Sequence, residues 1–197
     1  VWSRMPAIAE RFWSDRDIRD EVDMYRRLEH QLVRLEQLYG INAMSDRDML
    51  NAPGLTPLID MLEPVKGYTR ILGKELSAAR REGRDVTQIK RPYGTDTSLD
   101  RVVDLIAPES AATRHFGEAL KADEDTSGWT AGWRSQHRTL VGLLPKRPEL
   151  GELEEASRAL AELADVVDVG GEVNPAWAGP FGEYMLPVVY TMLAHES

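Results

Sequence analysis

Cysteine is absent from the 197 residues, so the chain can form no disulfide, hold no thiolate-ligated metal and use no cysteine nucleophile. That absence is compatible with any compartment. Long apolar runs are also missing: none approaches the roughly 18 residues a membrane span needs, and the opening residues do not read as a charged-then-apolar targeting segment. Positive charge is scarce, with 24 Lys and Arg against 33 Asp and Glu, a net charge of −9. Nucleic acid and anionic membranes both require a basic footprint, so neither is expected as a partner. The four histidines, His30, His115, His137 and His195, are scattered without a His-Glu-x-x-His or an i, i+4 pair, and no metal site is expected. No Gly-x-Ser-x-Gly and no phosphate-cradling glycine loop occurs, which leaves nucleophilic hydrolysis, nucleotide use and any cofactor unsupported.

What is present is ordinary for a folded, soluble domain: 42% hydrophobic and 29% charged residues, in a chain long enough to bury its own core. Sustained alternation and internal repeats are lacking, while helical spacing recurs in nearly every segment. Met5, Ile8 and Phe12 share a face, with Ser3 as cap, Pro6 in the first turn and an end near Trp13. Asp17 is expected to cap a longer helix whose stripe runs Ile18, Val22, Tyr25, Leu28, Leu32, Leu35 and Tyr39, stopped by Gly40. "TPLIDMLEP" reads as a short helix capped by Thr56, with Pro57 in its first turn and Pro64 as terminator, after a boundary near Ala52. Beyond an ambiguous stretch from Val65 to Gly94, Ser98 is expected to cap a helix that Pro108 breaks, and the next runs through Phe116 and Leu120. Trp129, Trp133, Leu140 and Leu144 mark another helix. Leu150, Leu153, Leu160, Leu163 and Val167 mark a further one with its glutamates outward, and the last helix starts or bends at Pro187.

The opening stretch carries a more specific signal. In "VWSRMPAIAERFWSDRDIRDEVDMYRRLEHQLVRLEQLYGI", Trp2, Arg4, Ala7, Ala9, Glu10, Arg11, Trp13 and Ser14 stand as in the C-terminal end of the catalytic domain of glycoside hydrolase family 20, the β-N-acetylhexosaminidases, which this segment resembles. A weaker likeness continues through "EPVKGYTR", "KRPYG" and "SLDRVVDLIAPES", similar to the helical extension that some bacterial members carry after the barrel. The resemblance implies that the first one or two helices correspond to the last helices of a (β/α)8 barrel and that the chain is the tail of a larger enzyme. It also implies a catalytic Asp-Glu pair upstream of Val1, the Glu protonating the glycosidic oxygen and the Asp orienting the substrate's acetamido nucleophile. Secretion or a periplasmic location is suggested by family habit alone.

Several features compete for a role. Asp123 and Glu124 form an acidic pair, but in a Gly-containing connection rather than a buried setting that would shift a pKa, so a solvated loop is expected. Gly170, Gly171 and Glu172 echo the last barrel strand of the same family, yet they follow the opening helix where the family has them precede it, and a helix-ending turn is expected. His137, one turn after Trp133, is within reach of a carboxylate. Trp129, Trp133 and Trp177, with Phe181 and Tyr184, are the candidates for stacking on a sugar ring. The one-turn spacing of Trp129 and Trp133 favours core packing for that pair. Arg70, Lys74, Arg80, Arg81, Arg84, Lys90 and Arg91 make one segment basic, and the stretch from Glu149 to Glu172 is acidic; the two are either solvated faces or meet each other.

These readings converge on an all-α, irregular bundle of about 6–8 helices, with residues 1–51 holding the barrel-type helix and the long helix after it, and residues 52–197 the helical extension. The expected role is non-catalytic, bracing the barrel or making a subunit contact, with no catalytic, cofactor or metal residues of its own. Trp2, Met5, Ile8, Phe12 and Trp13 make the expected interface, against the upstream barrel of the same protein or across a homodimer formed through the first two helices. Carbohydrate substrate would be met only through the parent enzyme. The alternative is an independent helical interaction module without a glycosidase link.

Overall fold

The computed structural model describes residues 5–40, 52–65, 78–84 and 101–196, and contacts along the chain separate Val1–Asp46 from Arg47–Ser197. The expected boundary after residue 51 adjoins residues 41–51, which lie outside those described, as do Ser3 and Ser98 with their expected capping roles.

In the first unit, α1 spans Met5–Trp13, with Pro6 in the first turn where its missing amide proton costs no helical bond. The second helix, α2, spans Glu21–Tyr39 and begins later than the Asp17 cap implied. Asp20 is the cap, its carboxylate accepting from the Asp23 amide at 3.0 Å, while the Asp17 amide donates to Asp15 in a preceding turn at 2.9 Å. The delay has a cause. The Arg11 guanidinium donates to the carbonyls of Asp15, Arg16 and Ile18 at 3.1, 2.8 and 3.1 Å, holding residues 15–18 in a non-helical turn. At the other end Gly40 adopts φ of 62°, and its amide closes on Glu36, the stop expected of a left-handed glycine.

Among the described residues, the secondary structure of the second unit is helical apart from one minimal ribbon. Its elements are α3 (Thr56–Met61), β1 (Glu63–Pro64), a helical turn at 78–81, α4 (Val102–Leu105), α5 (Ala111–Lys121), α6 (Ser127–Leu143), α7 (Glu154–Val169), β2 (Tyr184–Met185) and α8 (Pro187–Glu196), with 3₁₀ turns at Pro53–Leu55, Pro148–Leu153 and Pro175–Ala178. The all-α expectation holds for this architecture. Thr56 is the first helical residue rather than the cap, because the 3₁₀ turn before it makes Leu55 the cap. Pro64 does not end α3 directly. It confines Glu63 to extended backbone, so the chain leaves the helix after Met61 and pairs antiparallel with β2, Glu63 opposite Met185 and Pro64 opposite Tyr184. A strand of two residues carries no alternation for a sequence to show.

The core runs through this unit. Helices α6 and α7 form a hairpin in which Ala156, Ser157, Ala159 and Ala164 of α7 are all buried, small side chains that allow close helix approach. Leu150, Leu153, Leu160 and Leu163 are buried and Val167 packs against them, as their spacing predicts. Phe116 of α5 packs on both tryptophans of α6, edge-to-face on Trp129 with centroids 5.9 Å apart and tilted on Trp133 at 5.0 Å. Ser110 ties α3, β1 and α5 together. Its hydroxyl accepts from the Thr113 amide at 2.9 Å and donates to the Asp60 carbonyl at 2.5 Å, while its amide donates to the buried Glu63 carboxylate at 2.7 Å.

Candidate functional site

Two places combine accessibility with chemistry, one in each unit. In the first unit, three of the residues that carried the family resemblance, Glu10, Arg11 and Ser14, make the bonds that shape a helical hairpin. Glu10 receives the Arg27 guanidinium at 2.5 Å, and Asp23 pairs with the same guanidinium. The Ser14 hydroxyl donates to the Glu10 carbonyl at 2.9 Å, and Arg11 organises the connecting turn as described. The Glu10–Arg27 pair therefore joins α1 to α2, while Ser14 and Arg11 fix the end of α1 and the turn after it. The apolar side chains of α1 are left out of this arrangement. Met5 and Ile8 are exposed, Phe12 is 81% and Trp13 91% exposed, and no residue of α1 is buried. Trp2 lies outside the described residues. Leu32 is the buried residue of α2, and grooves of about 310 and 440 Å³ flank the Glu10–Arg27 pair where a self-sufficient hairpin would have a core.

In the second unit, a cleft of about 430 Å³ opens between α3 and the first turns of α6. Asp60 and Asp125 stand on it with Trp129, part of Trp133, and Gly128 and Gly132. Asp125 accepts from the Ser127 amide at 2.9 Å, and that bond holds its carboxyl below the usual carboxylate range. Trp129 is half-buried, its ring braced by Phe116.

The remaining sequence candidates fall elsewhere. Trp133 is 1% exposed, so its ring serves the core, as the helical spacing favoured. Tyr184 and Phe181 are buried, and Trp177 packs partly buried against the core. Asp123 and Glu124 stand on an exposed turn after α5, Asp123 with φ of 55°. Gly170, with φ of 82°, ends α7, its amide bonded to the Val166 carbonyl at 2.9 Å. His137 meets the hydroxyl of buried Ser157 at 3.1 Å rather than a carboxylate, because α7 presents its small face there. Most of the basic stretch lies outside the described residues. Within the acidic one, Asp165 and Asp168 take Arg134 of α6, at 2.8 and 2.7 Å. Among the described residues no cluster of three or more His, Cys, Asp or Glu is arranged to hold a metal, and no helix is long and apolar enough to cross a membrane.

Sequence reasoning missed the ion cluster around Arg101. Its guanidinium reaches Glu152 at 2.7 Å and Glu183 at 2.8 Å, joining the start of α4 to a 3₁₀ turn and to the approach to β2. Burial pushes the Glu183 carboxyl up against the opposing pull of Arg101, and burial also pushes the Tyr184 phenol up. The three partners are far apart in the chain, and no local signal announces them.

No family model and no curated protein matches the chain. The fold, however, is that of part of a solved enzyme structure. The X-ray structure of the Flavobacterium johnsoniae chitobiase, FjGH20, superposes with a TM-score of 0.74 at 21% identity, over 100% of this chain and 32% of that one. The chain thus spans about a third of the length of that chitobiase, and at this identity the likeness is one of fold.

Proposed function

We propose that this chain is the non-catalytic, C-terminal helical portion of a protein resembling a β-N-acetylhexosaminidase, and that α1 and α2 seat it against the catalytic barrel. The observation that carries this reading is the apolar face of α1, where Phe12 and Trp13 are almost fully exposed on a hairpin with a single buried apolar residue in α2. A two-helix hairpin with so little burial does not supply its own stability, and a face of this kind is covered in the working protein. The fold match to about a third of a chitobiase supports the kind of parent, and the bonds made by Glu10, Arg11 and Ser14 support a structural task for these three residues. In the parent, hydrolysis of terminal β-linked N-acetylhexosamine would occur at carboxylates outside this chain.

The test has two arms. The purified chain is assayed with a chromogenic N-acetyl-β-glucosaminide, and no turnover is expected; turnover would sink the non-catalytic reading. The coding sequence upstream of Val1 is expected to encode a barrel-length frame with Gly-Gly-Asp-Glu after a strand. A start codon at Val1 would leave the independent helical module instead.

A further inference from the structure

One guanidinium in the second unit serves more carboxylates than it can neutralise. Arg101, at the start of α4, reaches Glu152 on the 3₁₀ turn before α7 and Glu183 beside β2, at 2.7 and 2.8 Å. Asp104 stands at the same helix start, its carboxylate accepting from the Arg101 amide at 3.3 Å. The shares are unequal. Glu152 accepts a hydrogen bond from Nη2, whereas Glu183 Oε2 is buried without one, Nη1 standing close but out of line. The Tyr184 hydroxyl, in the same cluster, is also buried without a hydrogen bond. Among the described residues these are the titratable groups that face Glu183, while Glu63 on the neighbouring strand β1 takes the Ser110 amide.

The backbone holds Glu183 in this setting. Its carbonyl accepts from the Val65 amide at 2.9 Å, and Phe181 and Tyr184 exchange backbone bonds at 2.9 and 3.1 Å across the turn that contains it. Its side chain is 12% exposed against 47% for Arg101, so the carboxylate is the buried end of the pair and the guanidinium the end that solvent reaches. Burial without a hydrogen bond favours the neutral carboxyl, and the charges of Glu152 and Asp104 act in the same direction, with Arg101 opposed. We propose that the cluster is a proton-operated clasp: in mildly acidic solution Glu183 takes up a proton, its link to Arg101 opens, and Glu152 alone keeps the guanidinium. The buried Val102, Val103 and Leu105 hold α4 in the core meanwhile, so the clasp opens within a folded unit. It works or fails whatever covers α1, because every group in it lies in the second unit.

The test is an NMR titration of the isotope-labelled full chain, with the Glu183 carboxyl assigned as the signal that Glu183→Gln removes. Its midpoint is expected above the ordinary value of 4.5, and the Arg101 side-chain signal should move with the same midpoint. Arg101→Gln should raise the Glu183 midpoint further, because the opposing charge is gone. In Glu183→Gln the Arg101 signal should no longer respond over that range. Thermal melts give a second readout. A carboxyl raised in the folded state binds its proton more tightly there than in the unfolded chain, so its charge costs stability as pH rises through the folded value, and the cost is gone below 4.5. Glu183→Gln should therefore melt at or above the wild-type temperature at about pH 7, with any gap closing as the solution is acidified. The Arg134–Asp168 pair does not obscure this, since its carboxyl is held below 3.8. A Glu183 midpoint at or below 4.5, an Arg101 signal indifferent to Glu183, or a Glu183→Gln chain less stable than wild type in neutral solution each overturns the proposal.

Discussion

Trp133 and Gln136 sit three residues apart on α6, both 1% exposed, and they contribute to stability in opposite senses. Trp133 fills the centre of the second unit against Phe116, so Trp133→Ala is expected to cost about 3–5 kcal/mol in urea unfolding. A loss under about 1 kcal/mol would mean that the ring is not packed as described. Gln136 has a buried amide with neither its oxygen nor its nitrogen hydrogen-bonded among the described residues. Burying such a group costs about 1–3 kcal/mol, and Gln136→Met keeps the volume without the polar atoms. The same unfolding measurement should therefore show a gain of about 1–2 kcal/mol, and a loss would point to a polar partner for the amide.

At the scale of elements, the hairpin of α6 and α7 combines a small-residue interface with a charged clasp at its edge. Arg134 forks to Asp165 and Asp168, and its hydrogen bond holds the Asp168 carboxyl below its ordinary value of 3.8. A folded-state pKa below the unfolded one means stability that is present above the ordinary value and lost as pH falls through the folded one. Arg134→Met is expected to cost less than about 1 kcal/mol at neutral pH, since Asp165 is 70% exposed and solvent screens the pair. That difference should shrink with added salt and vanish in urea melts carried well below pH 3.8. A deficit that persists in acid would assign the loss to packing of the Arg134 stem instead. The Asp20 cap shows the same scale at work in the first unit, where Arg11 pulls three carbonyls into a turn and so moves the start of α2 past Asp17.

For the whole molecule, the two units differ in how far they stand on their own. The second has a continuous buried core from Ala52 to Met192, whereas the first exposes Phe12, Trp13, Val22, Leu38 and Tyr39. A face of this kind, left exposed, associates with whatever apolar surface is available. Light scattering of the purified 22.2 kDa chain should therefore show species larger than the monomer at micromolar concentration. Phe12→Ser with Trp13→Ser should return it to a monomer with an unchanged helical signal. A wild-type chain that is already monomeric and fully folded would contradict the reading of α1 as a docking face.

Much of this architecture was legible in the residues themselves, and the boundary between legible and hidden follows the range of the interaction. Leu150, Leu153, Leu160 and Leu163 announced their buried face, and Gly40, Gly170 and Pro187 announced where helices end or begin, because spacing and capping act within about four residues. The tryptophans were read correctly as a helical pair, but only the fold sent Trp133 inward and left Trp129 at a cleft. Tertiary structure alone decided the pairing of β1 with β2, the meeting of Arg101 with Glu152 and Glu183, and the placement of Asp60 and Asp125 on one cleft. Each of those joins residues distant in the chain, and such contacts are set by how whole helices pack rather than by any motif along the sequence.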